Sequence, residues 1–369
     1  MTVDLVALVL AVLRYAGAQG DFGVYHVGAS TWLAGGELYG QLPYTSYGQG
    51  WPFTYPPIAA VLFSPFTLLS YPAASVVFTA LTGLVLLLCL VLLGRELRAP
   101  WWLAPAVLPA ALFLDPVHTT FGFGQINLVL LALVLMDCLA RTPHWPRGLL
   151  VGLAAGIKLT PLVFLLFFLL RGHRQAIWAA AGTFASTVVL GFLAAPSDAW
   201  RYWTSALFQT DRVGRADAPG NASLRGLIAS AKLPEITQTL LWLGAIALVL
   251  TVAVGAMRRS LEAGLPGHAL VANAFAGLLI TPVSWYHHWV WALPAIAVLA
   301  AAWWHSRDRF TLWLTGIAAV LFVLPVPGKL STGYVFYALL VLICLSCGLG
   351  LGLRAHQAQR EHRVPVPVG

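Results

Sequence analysis

Long apolar runs separated by short basic or polar stretches pattern the whole chain. Runs at 2–18, 73–93, 101–114, 126–140, 176–195, 234–257, 269–281, 290–304, 312–326 and 334–353 each predict a membrane helix. About 20 apolar residues, rising about 1.5 Å each, span a hydrocarbon core of about 30 Å. Two shorter runs, 149–157 and 159–170, lie between Arg147 and the pair Arg171 and Arg174, and predict a re-entrant pair with Lys158-Leu-Thr-Pro161 at an outward tip. Residues 57–70 are apolar but short, and a crossing there would put Arg95 and Arg98 outside, so a helix lying in the interface is expected. The pattern describes an all-α polytopic membrane protein, one domain over 1–369, with about twelve membrane helices and both ends inside.

Two polar stretches are long enough to be outer loops, 19–72 and 196–233, and a basic tail, 354–369, closes the chain on the inside. With this threading thirteen of the twenty-one Lys and Arg residues face the cytoplasm and six lie in outer loops, with Arg14 and Lys158 apart. Ala16-Gly17-Ala18 has the small residues of a signal-peptidase site, but no basic flank precedes it and Arg14 interrupts the approach. A retained first helix is expected, with a few residues missing before it.

Composition narrows the chemistry. Hydrophobic residues make up 59%, charged ones 9%, and the mean hydropathy is +0.81, which leaves too few polar residues to cover a water-soluble fold of 369 residues. The net charge of +8 is spread singly rather than gathered in a stripe, so no nucleic acid is expected as partner. Cys89, Cys138, Cys344 and Cys347 lie in apolar runs, where a redox or zinc Cys-x-x-Cys has no polar setting. Gly122-Phe-Gly124 follows no strand and lacks a third glycine, so no nucleotide loop serves the cytoplasmic face. Any activated substrate is expected to arrive through the membrane.

The threading gathers the unusual polar residues at the outer face: Asp21, Tyr25, Tyr55, Asp115, His118, Gln125, Asn127, Lys158, Asn221, His287 and His288. Asp21 opens a loop rich in Tyr, Gly and Gln, and Tyr25, Gly28 and Trp32 recur from it at helical spacing, which would wall a carboxylate; the plainer reading is an acid ending a helix in water. His287-His288 reads either as part of an interfacial aromatic belt or as a phosphate or hydroxyl partner. Adjacent histidines chelate poorly and no HExxH spacing occurs, so no metal is expected. Lys158 is costly against lipid and must snorkel or meet an anion. Gln125 and Asn127 either cap a helix or bind a ligand, and Gly152-x-x-x-Gly156 and Gly348-x-x-x-Gly352 read as close helix packing.

Asp21-x-x-x-Tyr25, Gly36-Glu-Leu-Tyr39, Phe53-Thr-Tyr-Pro-Pro57, Gly124-Gln-Ile-Asn127, Gly156-Ile-Lys158-Leu-Thr-Pro161, Gly220-Asn221-x-Ser223 and Ser284-Trp-x-His-His288 follow one another from residue 21 to about 294. In order and spacing they resemble glycosyltransferase family 87, the actinobacterial polyprenyl-phosphate-mannose-dependent α-1,2-mannosyltransferases of GT-C fold. The resemblance implies a polyprenyl-phosphate-mannose donor, a mannosylated glycolipid or glycan acceptor, and an active site on the outer side of the cytoplasmic membrane. It implies Asp21 as general base of an inverting transfer that needs no metal or other cofactor. His288 or His287, then Lys158, are expected at the donor phosphate, and Tyr25, Tyr55, Gln125, Asn127 and Asn221 on the acceptor side. A groove for the polyprenyl tail is expected between 57–70 and the helices carrying Lys158 and His288. The rival readings are a related enzyme transferring arabinofuranose or glucose from a lipid carrier, and a transporter.

Overall fold

A computed structural model describes residues 2–45, 47, 50–324 and 331–349; the tail at 354–369 and Gly352 lie outside them. Among the described residues every regular element is helical. The amino-terminal part holds α1 (Thr2–Tyr15), α2 (Gly20–Leu33), α3 (Pro57–Phe63) and the long α4 (Tyr71–Glu96). Then come α5 (Leu103–Ala111), α6 (Asp115–Phe123), α7 (Asn127–Leu139), α8 (Leu149–Ile157), α9 (Leu165–Leu170) and α10 (Arg174–Ala194). The second polar stretch carries α11 (Pro196–Thr204) and α12 (Leu224–Ser230). After it run α13 (Glu235–Glu262), α14 (Pro266–Ile280), α15 (Ala292–Ser306), α16 (Arg309–Val323) and α17 (Ser331–Cys347).

Among the described residues four stretches are long and apolar enough to cross a membrane: Tyr71–Glu96, Arg174–Ala194, Glu235–Glu262 and Tyr286–Ser306. A fifth is the pair α5 and α6, bent by 73°. The other apolar helices have 10–17 residues, shorter than the spans expected from hydropathy alone. The predicted helix at 101–114 stops at Ala111, because Pro116 in the first turn of α6 starts a new helix after an extended Leu114. Residues 57–70 fold as α3 followed by a 3-10 turn over Ser64–Leu68. Asp21 does not end the first hydrophobic helix; it sits in the first turn of α2.

The two ends of the helices differ in character. Glu96 at the end of α4 lies among Arg98, Arg141 and Arg171 and meets the amide of Gly267, so the arginines that marked the inside gather at one end. The other end holds the start of α4, where the Tyr71 hydroxyl donates to the Gln19 carbonyl at 2.8 Å, and the starts of α7 and α15. The short pair is re-entrant in this sense: α8 leaves the arginine end, breaks at an extended Lys158, and returns through α9 to Arg171. The nine residues of α8 rise only about 14 Å, about half the thickness of a hydrocarbon core.

Small residues make this pair possible. A Cβ on Gly152 would meet the Ala180 carbonyl oxygen, and one on Gly156 the Thr187 hydroxyl, so α8 lies directly against α10. Asp137 at the end of α7, fully buried, accepts from the amides of Gly148 and Val151 at 2.9 Å and from Trp145 Nε1 at 3.2 Å, tying the arginine end of α8 to α7. A second, aromatic cluster seats α2: Phe22 stacks on Phe78 at 4.6 Å and Tyr25 on Phe63 at 4.2 Å. The helix carrying Asp21 therefore rests on α3 and α4 rather than floating as a loop.

Candidate active site

The site forms where the start of α2, the α6–α7 corner, the break after α8 and the 3-10 turn at Tyr286–Trp291 meet. Gly124 makes the corner. It adopts a left-handed conformation at φ +66°, and a Cβ there would lie 2.6 Å from the Cβ of Phe22 and 3.0 Å from that of Gln19. The backbone can therefore pass against α2 and deliver the next residue, Gln125, beside Asp21.

Asp21 is partly exposed, and the Gln125 side chain hydrogen-bonds its carboxylate. The Tyr25 and Tyr55 hydroxyls stand 2.8 Å apart, and both reach Gln125 Oε1, at 2.9 and 3.2 Å. With its oxygen so occupied, the amide can turn only its N–H groups toward Asp21. Burial pushes the Asp21 carboxyl up to about 6, opposed by the Gln125 hydrogen bond and the nearby Lys158 charge. It is thus mostly ionised at neutral pH yet far more basic than an ordinary aspartate, as a general base needs.

Gln19, two residues earlier, anchors the start of α2. It is buried; Nε2 donates to Thr79 Oγ1 at 3.0 Å and to the Phe121 carbonyl at 2.8 Å, while Oε1 accepts from Ser75 at 2.8 Å. Sequence reading passed over this residue; its signal is an amide enclosed by small residues just before the aspartate.

The opposite wall is built differently. Lys158 Nζ lies 3.3 Å from Asn127 Oδ1, 3.2 Å from His288 Nε2 and 5.6 Å from the centre of the Tyr55 ring. His288 Nδ1 accepts from the Trp285 amide at 3.2 Å, so a neutral ring carries its hydrogen on Nε2. Both groups line the cavity described below and can donate to an oxyanion that approaches the pair from that side. His287 is buried with both ring nitrogens unpartnered, its ring 4.7 Å from that of His288 and 5.2 Å from Phe123. Its carbonyl is held by Thr120 Oγ1 at 3.1 Å and Asn127 Nδ2 at 2.9 Å.

A cavity of about 240 Å³ adjoins Lys158, Asn127 and His288 and is otherwise walled by α7, α14 and the turn after Lys158, with Leu130, Val134, Phe164, Leu278 and Trp291. It takes no residue from 57–70; α3 packs against α2, α8 and α10.

Of the residues anticipated on the acceptor side, Tyr25, Tyr55, Gln125 and Asn127 do converge, but their polar atoms are engaged within the protein. Asn221 stands apart from them. Its Nδ2 donates to the carbonyls of Ala216 and Pro282, and its Oδ1 accepts from the Ser284 amide, so it pins the second polar loop to the segment before His287. Asp115 accepts from Tyr334 at 3.2 Å, and His118 lies 3.4 Å from Arg14. Among the described residues no three His, Cys, Asp or Glu side chains gather as metal ligands.

The family model described as glycosyltransferase family 87 matches residues 53–282. The chain belongs to this family. The matched stretch includes Tyr55, Gln125, Asn127, Lys158 and Asn221 and stops short of Asp21 and His288. A Mycobacterium tuberculosis protein named polyprenol-phosphate-mannose-dependent alpha-(1-2)-phosphatidylinositol mannoside mannosyltransferase is 44% identical over 319 residues, 82% of this chain and 74% of the relative. A protein of the same name from Mycolicibacterium smegmatis is 40% identical over 323 residues, 81% and 73% of the two chains. A third relative, named as a phosphatidylinositol pentamannoside mannosyltransferase of the same dependence and linkage, is from M. smegmatis, 35% identical over 289 residues, 74% and 67% of the two chains. No solved structure matches this family member.

Proposed function

We propose that this family 87 member transfers mannose from polyprenyl-phosphate-β-mannose to a mannosylated phosphatidylinositol or related glycan, forming an α-(1→2) bond at the outer face of the cytoplasmic membrane. The names of the relatives support the donor and the acceptor class. The observation that carries the chemistry is the pairing of Lys158 with His288 at the edge of an apolar cavity, close to the Asp21 carboxylate. The phosphate sits between Lys158 and His288, with His287 behind it, and the first isoprenoids enter the cavity. The acceptor hydroxyl oxygen attacks the mannose anomeric carbon from the side away from phosphate, while Asp21 takes its proton. The carbon–oxygen bond to phosphate breaks, and polyprenyl phosphate leaves with the electron pair. One displacement inverts β to α.

The Lys158 ammonium and the His288 N–H, already in place, stabilise the departing phosphate without need of a metal. Tyr25, Tyr55, Gln125 and Asn127 hold the base and the cations in register, and Asn221 holds the loop above them. The helices fit a GT-C enzyme, whose reaction lies at the outer end of the bundle, away from the arginine end.

The test is transfer of labelled mannose from polyprenyl-phosphate-mannose to a mannoside lipid by purified protein, with and without EDTA, beside Asp21→Asn. Activity that survives EDTA and is lost in a folded Asp21→Asn protein is expected. Full activity of Asp21→Asn would overturn the base assignment and turn attention to Asp115. Activity only with another lipid-linked sugar would overturn the donor.

A further inference from the structure

The stretch Trp51-Pro-Phe-Thr-Tyr55 has no helix, and its alternate side chains all meet α2. Phe53 lies on Gly28, where a Cβ would come 2.5 Å from its Cδ2, and Tyr55 bonds Tyr25; both are buried. Trp51 lies on Gly20 in the same manner, where a Cβ would come 2.6 Å from Cζ3 and 2.9 Å from Cη2. Unlike its two companions it keeps 37% of its surface open. Gly20 immediately precedes Asp21, so an indole rests against the backbone next to the carboxylate with much of the ring uncovered.

A second aromatic extends the same rim. Gly50 faces Tyr44, with a Cβ position 3.2 Å from its Cδ2, and Tyr44 is 81% exposed. Two exposed aromatic rings thus lie along the stretch that packs on the residue before Asp21, while Lys158, His288 and the apolar cavity are reached from α7, α8 and the Tyr286–Trp291 turn.

We propose that Trp51 is the stacking platform for the acceptor pyranose whose hydroxyl Asp21 deprotonates, with Tyr44 beneath the neighbouring residue of the acceptor glycan. The inference rests on the transferase reading above. A flat aromatic face packs on the C–H face of a pyranose and leaves the ring hydroxyls free to be read by polar groups. The ring is fixed in position by the glycine beneath it, so little freedom is lost when a sugar lands on it. The isoprenoid donor makes no use of this rim, because its phosphate and tail are accounted for on the Lys158 side.

The experiment is steady-state transfer with donor and acceptor varied separately, for the unmodified protein, Trp51→Ala, Trp51→Phe and Tyr44→Ala, each checked for a monodisperse, cooperatively melting sample. Trp51→Ala is expected to raise the acceptor KM about ten-fold or more, Trp51→Phe to raise it less, and Tyr44→Ala to matter only with acceptors of two or more sugars. The donor KM is expected to move by less than about two-fold. An unchanged acceptor KM in folded Trp51→Ala, or equal increases in both KM values, would overturn the platform. If Trp51→Ala does not fold, Trp51→Phe decides: no rise in acceptor KM sinks the proposal. Failure of the unmodified protein to use polyprenyl-phosphate-mannose at all would instead remove the reading on which it rests.

Discussion

The two walls of the site differ in how complete they are. On the Asp21 wall the surrounding polar side chains are satisfied within the protein: Gln19 by Ser75 and Thr79 of α4 and Phe121 of α6, Gln125 by two tyrosines and the aspartate. On the Lys158 wall a cation faces an imidazole N–H, and a buried histidine has no protein partner for either nitrogen. In the proposed mechanism the first wall holds the base in position before substrate arrives, and the second supplies hydrogens to an incoming anion. The comparison teaches which substrate each wall serves, and it can be attacked from both sides.

The largest effect is expected from Asp21→Asn, which keeps the shape and removes the base: kcat falls about 10²–10⁴-fold with little change in donor KM. Single-turnover transfer checks it, and a loss under about ten-fold would move the proton acceptor elsewhere. Next comes Lys158→Met. Removing one preorganised charge from the leaving phosphate lowers kcat by about 10²–10³-fold. The same variant is expected to melt at a higher temperature than the unmodified protein when no anion is bound, since a buried charge need no longer be kept out of water. A lower melting temperature would mean that Lys158 is satisfied without ligand and would erase the difference between the walls.

Asn221→Ala breaks a finished contact and is expected to cost about 1–3 kcal/mol, by leaving buried amides and carbonyls unpaired. Chemical denaturation in detergent measures it. The smallest effect is the pH response. The carboxylate must be ionised to accept a proton, so kcat/KM rises with pH and levels off above an apparent pKa near 6, the value burial gives Asp21. Gln125→Leu removes a hydrogen bond that favours the charged form, so the acid limb moves to higher pH. An unmoved limb would show that Gln125 does not touch the working carboxylate.

Much of this fold is legible in hydropathy. The long helices at Tyr71–Glu96, Arg174–Ala194 and Glu235–Glu262 lie within a few residues of the apolar runs that predict them, and the break at Lys158 follows from two short runs between arginines. Tyr25 on the same side as Asp21 is legible too, from helical spacing, although the helix itself read as loop. The bend between α5 and α6 was hidden because the apolar run ends at Leu114 and the polar Asp115-Pro-Val-His-Thr-Thr120 after it reads as loop rather than as a second helix. The roles of Asn127 and Asn221 were not legible. An amide that could equally bind a sugar or a carbonyl is assigned only by what stands opposite it, and for these two that partner is 160 and 61 residues away.

Alone, the sequence determined that the chain is built of apolar helices fit for a membrane, that arginines mark the ends of several of them, and that Tyr25 shares a helical face with Asp21. Transfer free energies of single side chains are enough for this, because they add along the chain without reference to distant contacts. Only the tertiary structure decided which polar atoms are used up and which remain free. That depends on pairs of groups brought within hydrogen-bond distance by helices packing at glycine contacts, and a buried donor's state is set by its one partner rather than by its own chemistry.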